Sequence, residues 1–142
     1  MTVGAILRTK YLSVVSIGLQ ATVLDAVKIL NYNRIGALLV MEGKAIVGIL
    51  TERNIIEQLS KRGVMAMYSK VGDAMNANVV ACQRRDSVTA VMEKMIRGKC
   101  RHLPVQDNDD VVGVISIGDV VKWRVREFES EQESLKRYIM TA

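Results

Sequence analysis

An internal repeat constrains the fold of this chain more than any other feature, because two similar segments in one sequence specify a repeated architecture. A shift of 65 residues aligns the two halves, and seven residues between positions 14 and 56 are identical to their partners. They are Val14, Val15, Val23, Leu38, Val40, Val47 and Gly48. Other aligned positions keep their chemistry, so that Thr51 falls on Ser116 and Asn54 falls on Asp119. The sequence therefore predicts two copies of one unit, each of roughly 60 residues.

Hydrophobic periodicity predicts the same order of elements, βαββα, in each copy. Thr22 and Ser87 are natural N-caps for the first long helix of each copy, and apolar residues follow them at helical spacing. The first copy is expected to form a strand at 13–16, this helix, a hairpin of strands 35–41 and 45–50, and a helix that begins at Thr51. The second copy is expected to form a strand at 78–81, the equivalent helix, a hairpin of 101–106 and 111–115, and a helix from Ser116.

A single unit of this size buries too little surface to be stable alone, so the two copies are expected to pack through their sheets around one core. The predicted fold class is α+β, with two βαββα repeats related by pseudo-twofold symmetry and a long C-terminal helix. The last helix of each repeat is expected to bury Ile55 with Ile56, or Val120 with Val121. The predicted domains are residues 1–64 and 65–142, and the joint lies around 62–69.

The last helix of the second copy is predicted to extend beyond its unit to about Ile139, with a mostly apolar line along one side. This line consists of Val121, Val125, Phe128, Gln132, Leu135 and Ile139. Glu133 and Arg137 form a favourable pair one turn apart. An overhanging helix with an apolar stripe is typically covered by the same helix of a second subunit, which predicts a homodimer. The alternative is a helix that folds back on its own core.

Composition indicates a packed globular protein, with 49% hydrophobic residues and only two cysteines among 142 residues. Cys82 and Cys100 are too few for a disulfide framework and match no paired zinc pattern, so we expect a cytoplasmic location and no metal site. An apolar stretch at 11–19 follows Arg8 and Lys10 and faintly resembles a signal peptide, but no convincing cleavage site follows it, so we interpret it as the opening of the first repeat. No apolar run approaches the roughly 20 residues of a membrane helix, and no membrane contact is expected.

The net charge of +5 favours anionic partners in general. The basic residues form scattered pairs, such as Lys61 with Arg62 and Arg84 with Arg85, and aromatic residues make up only 4% of the chain. Dispersed charge with few aromatic platforms is more typical of a solvated surface than of a nucleic-acid interface. Nucleic-acid binding is therefore an alternative hypothesis and not the leading one.

The segment that carries chemistry is a strand that delivers a hydroxyl residue to a helix start, with a carboxylate or amide three residues later. It reads Gly-Ile-Leu-Thr-Glu-Arg-Asn from Gly48 and Gly-Val-Ile-Ser-Ile-Gly-Asp from Gly113. Free backbone N–H groups at a helix N-terminus suit a phosphate, and a carboxylate such as Asp119 suits the two hydroxyls of a ribose. The alternative is a purely structural capping arrangement. The glycine at the start of each segment favours the ligand hypothesis, because it leaves room for a planar base near the backbone.

These two segments are similar to the signature of the CBS domain, the cystathionine-β-synthase repeat, whose tandem pairs are called Bateman modules. The resemblance covers nearly the whole chain, and the long helix that follows residues 118–121 resembles stand-alone bacterial members. It implies a cleft between the repeats that binds AMP, ATP, an NAD(H)-type dinucleotide or, less readily, S-adenosylmethionine. It also implies a disc-shaped dimer.

The resemblance assigns roles residue by residue. Asp119 would hold a ribose and Ser116 a phosphate, and Thr51 with Asn54 would take the matching roles in a second site. The family often has Asp at the position of Asn54, so weaker binding is expected there. Arg53, Arg101 and His102 are expected near phosphates.

Sequence patterns of catalysis are missing, since the chain has no P-loop, no GxGxxG after a strand and no spacing typical of a nucleophile and its histidine. His102 is the only histidine, so it is either a ligand contact or an edge residue of the fold. The leading hypothesis is a nucleotide sensor, not an enzyme, that alters an unidentified partner protein. The alternatives are a nucleic-acid-binding protein and a purely structural dimer.

Overall fold

A computed structural model describes residues 1–10 and 14–141, and these form two repeats with the same order of elements. The first part of the chain contains α1 (Val3–Leu7), β1 (Ser16–Ile17), α2 (Val23–Asn33), β2 (Ala37–Glu42), β3 (Ala45–Thr51) and α3 (Glu52–Arg62). A 3₁₀ helix at Gly63–Tyr68 leads into α4 (Val71–Ala74), β4 (Cys82–Gln83), α5 (Val88–Gly98), β5 (His102–Asp107), β6 (Asp110–Ser116) and α6 (Ile117–Thr141). The predicted βαββα order is confirmed in both repeats.

Each repeat contains a three-stranded sheet of order β1-β2-β3 or β4-β5-β6. The central strand pairs in parallel with the short first strand and antiparallel with its hairpin partner. Gly48 lies opposite Val40, and Gly113 lies opposite Val105. Both hairpins shift register at the same place, just after Val40 and just after Val105. The repeat found in the sequence is therefore a repeat of backbone pairing as well.

The predicted first strands are corrected by the structure. Residues 78–81 form no strand, because Val79 N donates to Ala77 O at 3.2 Å and Asn78 N donates to the side chain of Asn76, so their backbone is engaged in local turns. The strand lies instead at Cys82–Gln83. In the first repeat the strand begins only at Ser16, and Ser13 is outside the described residues.

The short helices α1 and α4 pack on the opposite repeat from the one that follows them in sequence. Val3 and Ile6 of α1 are buried in the core of the second repeat, and Val71 and Ala74 of α4 are buried in the core of the first. The backbone contacts match as well, since an antiparallel bridge joins residues 2 and 87 in one case and 70 and 22 in the other. The two repeats therefore exchange their leading helices, and the division into 1–64 and 65–142 stays a prediction about sequence units.

The two sheets pack against each other through a third apolar cluster. Its buried members are Ala37, Leu39 and Ile49 of the first sheet, and Val111 and Val114 of the second sheet pack against them. The predicted packing through the sheets is confirmed.

Both cysteines are free thiols, and burial raises the pKa of Cys82 to about 11, as expected for a thiol that serves as a small core residue.

Half of the predicted burial on the last helices is wrong. Ile55 and Val120 are buried, but Ile56 is 55% exposed and Val121 is 53% exposed, because each apolar pair occupies adjacent helix positions, which point in directions about 100° apart. The apolar line on α6 is also exposed, including Phe128 at 59% and Ile139 at 65%. The helix therefore does not fold back on its core, and that alternative is wrong. No helix among the described residues is both long enough and apolar enough to cross a membrane.

Candidate functional site

A cleft of about 320 Å³ lies between the two repeats. Its lining combines apolar walls with a few polar groups: Leu7, Lys10, Val14, Val15, Arg34, Ile35, Gly36, Ala37, His102, Val112, Gly113, Val114, Ser116 and Asp119. A small pocket with apolar walls and a few convergent polar groups is the usual form of a ligand site. Three of the seven predicted site residues, His102, Ser116 and Asp119, lie together in this lining.

Ser116 and Asp119 form a capping box at the start of α6. Asp119 N donates to Ser116 Oγ at 3.2 Å, and the N–H and hydroxyl of Ser116 donate to Asp119 Oδ2 at 2.9 and 3.0 Å. The capping arrangement, which was the alternative to a ligand role, is therefore present, because this box satisfies backbone donors at the helix start. The same residues also line the cleft, so a capping role and a ligand role coincide at one place.

Lys10 is the closest charged neighbour of Asp119 among the described residues. Its Nζ lies 2.7 Å from Asp119 Oδ2 and donates to Val114 O at 2.9 Å, and the two charged side chains are only 18% and 19% exposed. Burial raises the pKa of Asp119, but Lys10 and the hydrogen bonds from Ser116 together lower it by more. The pKa therefore lies below its ordinary value of 3.8. The carboxylate is therefore charged at neutral pH and already paired with a cation.

His102 begins β5, pairs with Ser116 across the hairpin and reaches the first repeat. A Cβ atom placed on Gly36 would lie 3.4 Å from His102 Nε2 and 3.3 Å from Glu52 Oε1, so the ring and the carboxylate sit against the same glycine. Burial lowers the pKa of His102 below its usual 6.5, although the charges of Glu52 and Asp119 act in the opposite direction. At neutral pH the neutral imidazole is favoured, and it offers one donor and one acceptor to the cleft.

The equivalent motif in the first repeat has the same capping geometry in a different environment. Asn54 N donates to Thr51 Oγ1 at 3.2 Å, and Thr51 N donates to Asn54 Oδ1 at 3.0 Å. The side chain of Met75 lies directly against Gly48. The backbone of Asn76 pairs with Ile49 through two hydrogen bonds of 2.9 Å. The segment after α4 therefore covers the strand that precedes this motif.

The remaining predicted residues lie apart from the cleft lining. Arg53 is 78% exposed and pairs with Glu57 at 3.7 Å, and Arg101 is exposed one position before β5.

The room left by Gly113 also has a structural explanation, because a Cβ atom there would lie 2.9 Å from Leu7 Cδ2. Both motif glycines thus accommodate the chain's own leading segments.

Sequence reasoning missed Lys10 and Arg34. Arg34 ends α2 with a φ of 54°, and Lys99, which is 65 residues later, ends α5 with a φ of 49°. The repeat alignment therefore places a basic residue at both equivalent positions, and this signal could have identified Arg34. Lys10 had no such signal, because the leading segments align at a shift of 68, as Val3-Gly4 on Val71-Gly72, and not at 65.

The family model of the CBS domain matches the chain twice, at residues 3–61 and 71–126. The chain belongs to the CBS domain family. Its CBS pair is similar to a CBS-domain containing protein of Agrobacterium tumefaciens, with 36% identity, a TM-score of 0.84, and coverage of 87% of this chain and 99% of that one. A CBS domain protein of Pyrobaculum aerophilum, solved in complex with AMP, is 25% identical with a TM-score of 0.74 and coverage of 84% and 89%.

Two curated relatives of the CBS pair are longer than this chain. The mitochondrial CBS domain-containing protein CBSX3 of Arabidopsis thaliana is 35% identical over 123 residues, which are 83% of this chain and 60% of that protein. CBSCBSPB2 of the same plant is 29% identical over 68% of this chain, and the match spans only 18% of its length. The two CBS domains are therefore a unit that also occurs within larger proteins.

Proposed function

We propose that this CBS pair is a regulatory module that binds one adenine nucleotide of the AMP class in the cleft between its repeats. The observation that carries the proposal is the convergence of Ser116, Asp119, Lys10, His102 and Arg34 on one cleft with apolar walls. The carboxylate suits the hydroxyls of a ribose, the cations suit a phosphate, and the valines suit the faces of a base.

The AMP complex of the Pyrobaculum aerophilum relative supports an adenine nucleotide as the ligand class. ATP, NAD(H) and S-adenosylmethionine are the other ligands to be compared. Binding at the first-repeat motif is expected to be weak, because Met75 and Asn76 cover its strand and Asn54 carries no charge. We therefore expect one nucleotide per chain.

Regulation requires that the ligand favour one arrangement of the molecule over another. Residues from both repeats and from the segment after α1 line the cleft, so a bound nucleotide would contact all three at once. We propose that this contact changes the relative packing of the repeats or of α6, and that a cytoplasmic partner protein responds to the change. No step of the proposal involves catalysis.

The decisive experiment exploits a natural control within the chain. Asp119→Asn keeps a side chain that can complete the capping box, as Asn54 does in the first repeat, but removes the charge. Asp25→Asn makes the same change in the Thr22 capping box of α2, away from the cleft. We expect calorimetry with AMP to show a loss of affinity of about tenfold or more for Asp119→Asn only, because charge-assisted hydrogen bonds are lost.

Equal affinity for AMP in the wild type and in Asp119→Asn would contradict the ribose assignment. Absence of binding across a panel of AMP, ATP, NAD, NADH and S-adenosylmethionine, with nucleotide-free protein, would favour the purely structural dimer. Steep salt-dependent binding to DNA or RNA instead would favour the nucleic-acid hypothesis.

A further inference from the structure

Lys10 reaches the cleft because α1 is anchored to the second repeat. Ile6 is buried in the second core, and Gly4 N donates to Arg84 O at 2.9 Å. Lys10 N donates to Leu7 O at 3.2 Å, so a hydrogen-bonded turn continues from the helix to the lysine. Its place in the cleft is therefore fixed by the core and by backbone hydrogen bonds.

The ammonium group of Lys10 uses the carboxylate that the ligand is expected to use. Nζ lies 2.7 Å from Asp119 Oδ2, and both bonds from Ser116 to the carboxylate also go to Oδ2. About four fifths of each charged side chain is shielded from solvent. Removing one partner of a buried ion pair is strongly destabilising, because the other charge is left without compensation. A ligand that displaces the ammonium group of Lys10 from Asp119 must therefore offer it another anion.

We propose that Lys10 is a specificity-determining residue that makes the cleft select phosphorylated ligands over uncharged nucleosides. This inference rests on the proposed function. Without ligand, Lys10 neutralises Asp119. When the hydroxyls of a ribose engage Asp119, the phosphate of the same ligand becomes the counter-charge of the ammonium. A nucleoside brings no such charge, so its binding weakens a partly buried ion pair without replacing it.

Arg34 and the predicted phosphate contact Arg53 fit this role less well. Arg34 lines the cleft but is an exposed residue, and Arg53 is 78% exposed with its own partner Glu57. Within the described part of the cleft lining, Lys10 is the cation that is both largely buried and bonded to Asp119. The preference for a phosphorylated ligand over an uncharged nucleoside is therefore expected to depend mainly on Lys10.

Competition titrations with AMP and adenosine test the proposal by the ratio of the two affinities. The variants are Lys10→Met, Lys10→Arg and the control Lys44→Met, which removes an exposed lysine in the first hairpin. We expect Lys10→Met to reduce the preference for AMP over adenosine by about tenfold or more. Lys10→Arg is expected to retain most of the preference, and Lys44→Met all of it.

The outcomes separate this inference from the proposed function. If Lys10→Met changes the affinities for AMP and adenosine by the same factor, Lys10 is only structural and the inference is overturned, while the proposed function stands. If the wild type binds neither compound, both are overturned. Because Lys10→Met leaves Asp119 without its cation, the comparison is repeated in an Asp119→Asn background, where the double variant carries neither charge of the pair. An unchanged ratio there also counts against the inference.

Discussion

Single residues at the cleft have both a folding role and a proposed binding role. Asp119 caps α6 through Ser116 and neutralises Lys10, and its carboxylate is also the proposed ribose contact. The hydroxyl and carboxylate of the motif suit capping and binding equally, and in the sequence only the preceding glycine favoured binding. The structure shows that the cap exists in both repeats, and that the capping residue Asp119 is also charged and lines the cleft. Its partner Lys10 is 109 residues away in sequence, which is why no local pattern predicted the pair.

The titration of His102 predicts a pH dependence of stability. Burial lowers the pKa of His102 below 6.5 in the folded protein, so below that pH the unfolded chain binds more protons than the native state. The free energy of unfolding is therefore expected to fall as the pH drops from about 6.5 through the native pKa. His102 is the only histidine in the sequence, so no other histidine contributes to this pH dependence.

Denaturant unfolding of the wild type and His102→Gln between pH 8 and pH 5 measures this effect. The wild type is expected to lose stability over the acidic part of this range more steeply than the variant. The comparison concerns slopes, so a constant offset between the proteins is irrelevant. Parallel curves would show that His102 is not a buried titrating group. The low pKa of Asp119 acts in the same direction, but only as the pH falls below about 3.8.

At the scale of elements, periodicity and capping predicted most of the fold. The helices capped by Thr22 and Ser87 begin where expected, and the hairpin strands begin and end within two residues of their predicted positions. The missed elements are α1, α4 and the 3₁₀ helix at Gly63–Tyr68, since four to six residues are too few to show a helical period. Exposure of Ile56 and Val121 was also missed, because periodicity shows that a face is apolar and not what covers it.

The exposed apolar line on α6 predicts self-association through this helix. Phe128 and Ile139 are mostly exposed, and Ile56 and Val121 occupy equivalent exposed positions on α3 and α6. Apolar stripes of this kind are typically buried between subunits. We therefore expect the wild type to sediment as a dimer and Phe128→Glu to shift the equilibrium towards the monomer. Ser134→Glu adds the same charge off the apolar line and is the control. A wild-type monomer at micromolar concentration would contradict the prediction.

The exchange of leading helices makes the two repeats one cooperative unit. Ile6 is buried in the second core although it belongs to the start of the chain, so Ile6→Ala is expected to cost about 2–5 kcal/mol of unfolding free energy. Ile96→Ala on α5 is the matched control, because Ile96 is 73% exposed, and its cost is expected to stay below about 0.5 kcal/mol. Thermal unfolding is expected to remain a single transition at a lower temperature. Two separate transitions in Ile6→Ala would contradict coupling between the repeats.

The position of α1 also determines the order in which the molecule is completed during synthesis. Residues 3–7 leave the ribosome before their binding partners around residues 84–115, which emerge about 80 residues later, and this takes several seconds at common translation rates. The first repeat likewise lacks α4 until residues 71–74 have emerged. The first repeat can therefore complete its core once α4 has emerged, whereas α1 has no core to join until the second repeat has been made. Val3 and Ile6 remain uncovered during this interval, so the nascent chain presents a short apolar segment to chaperones until the second repeat closes over it.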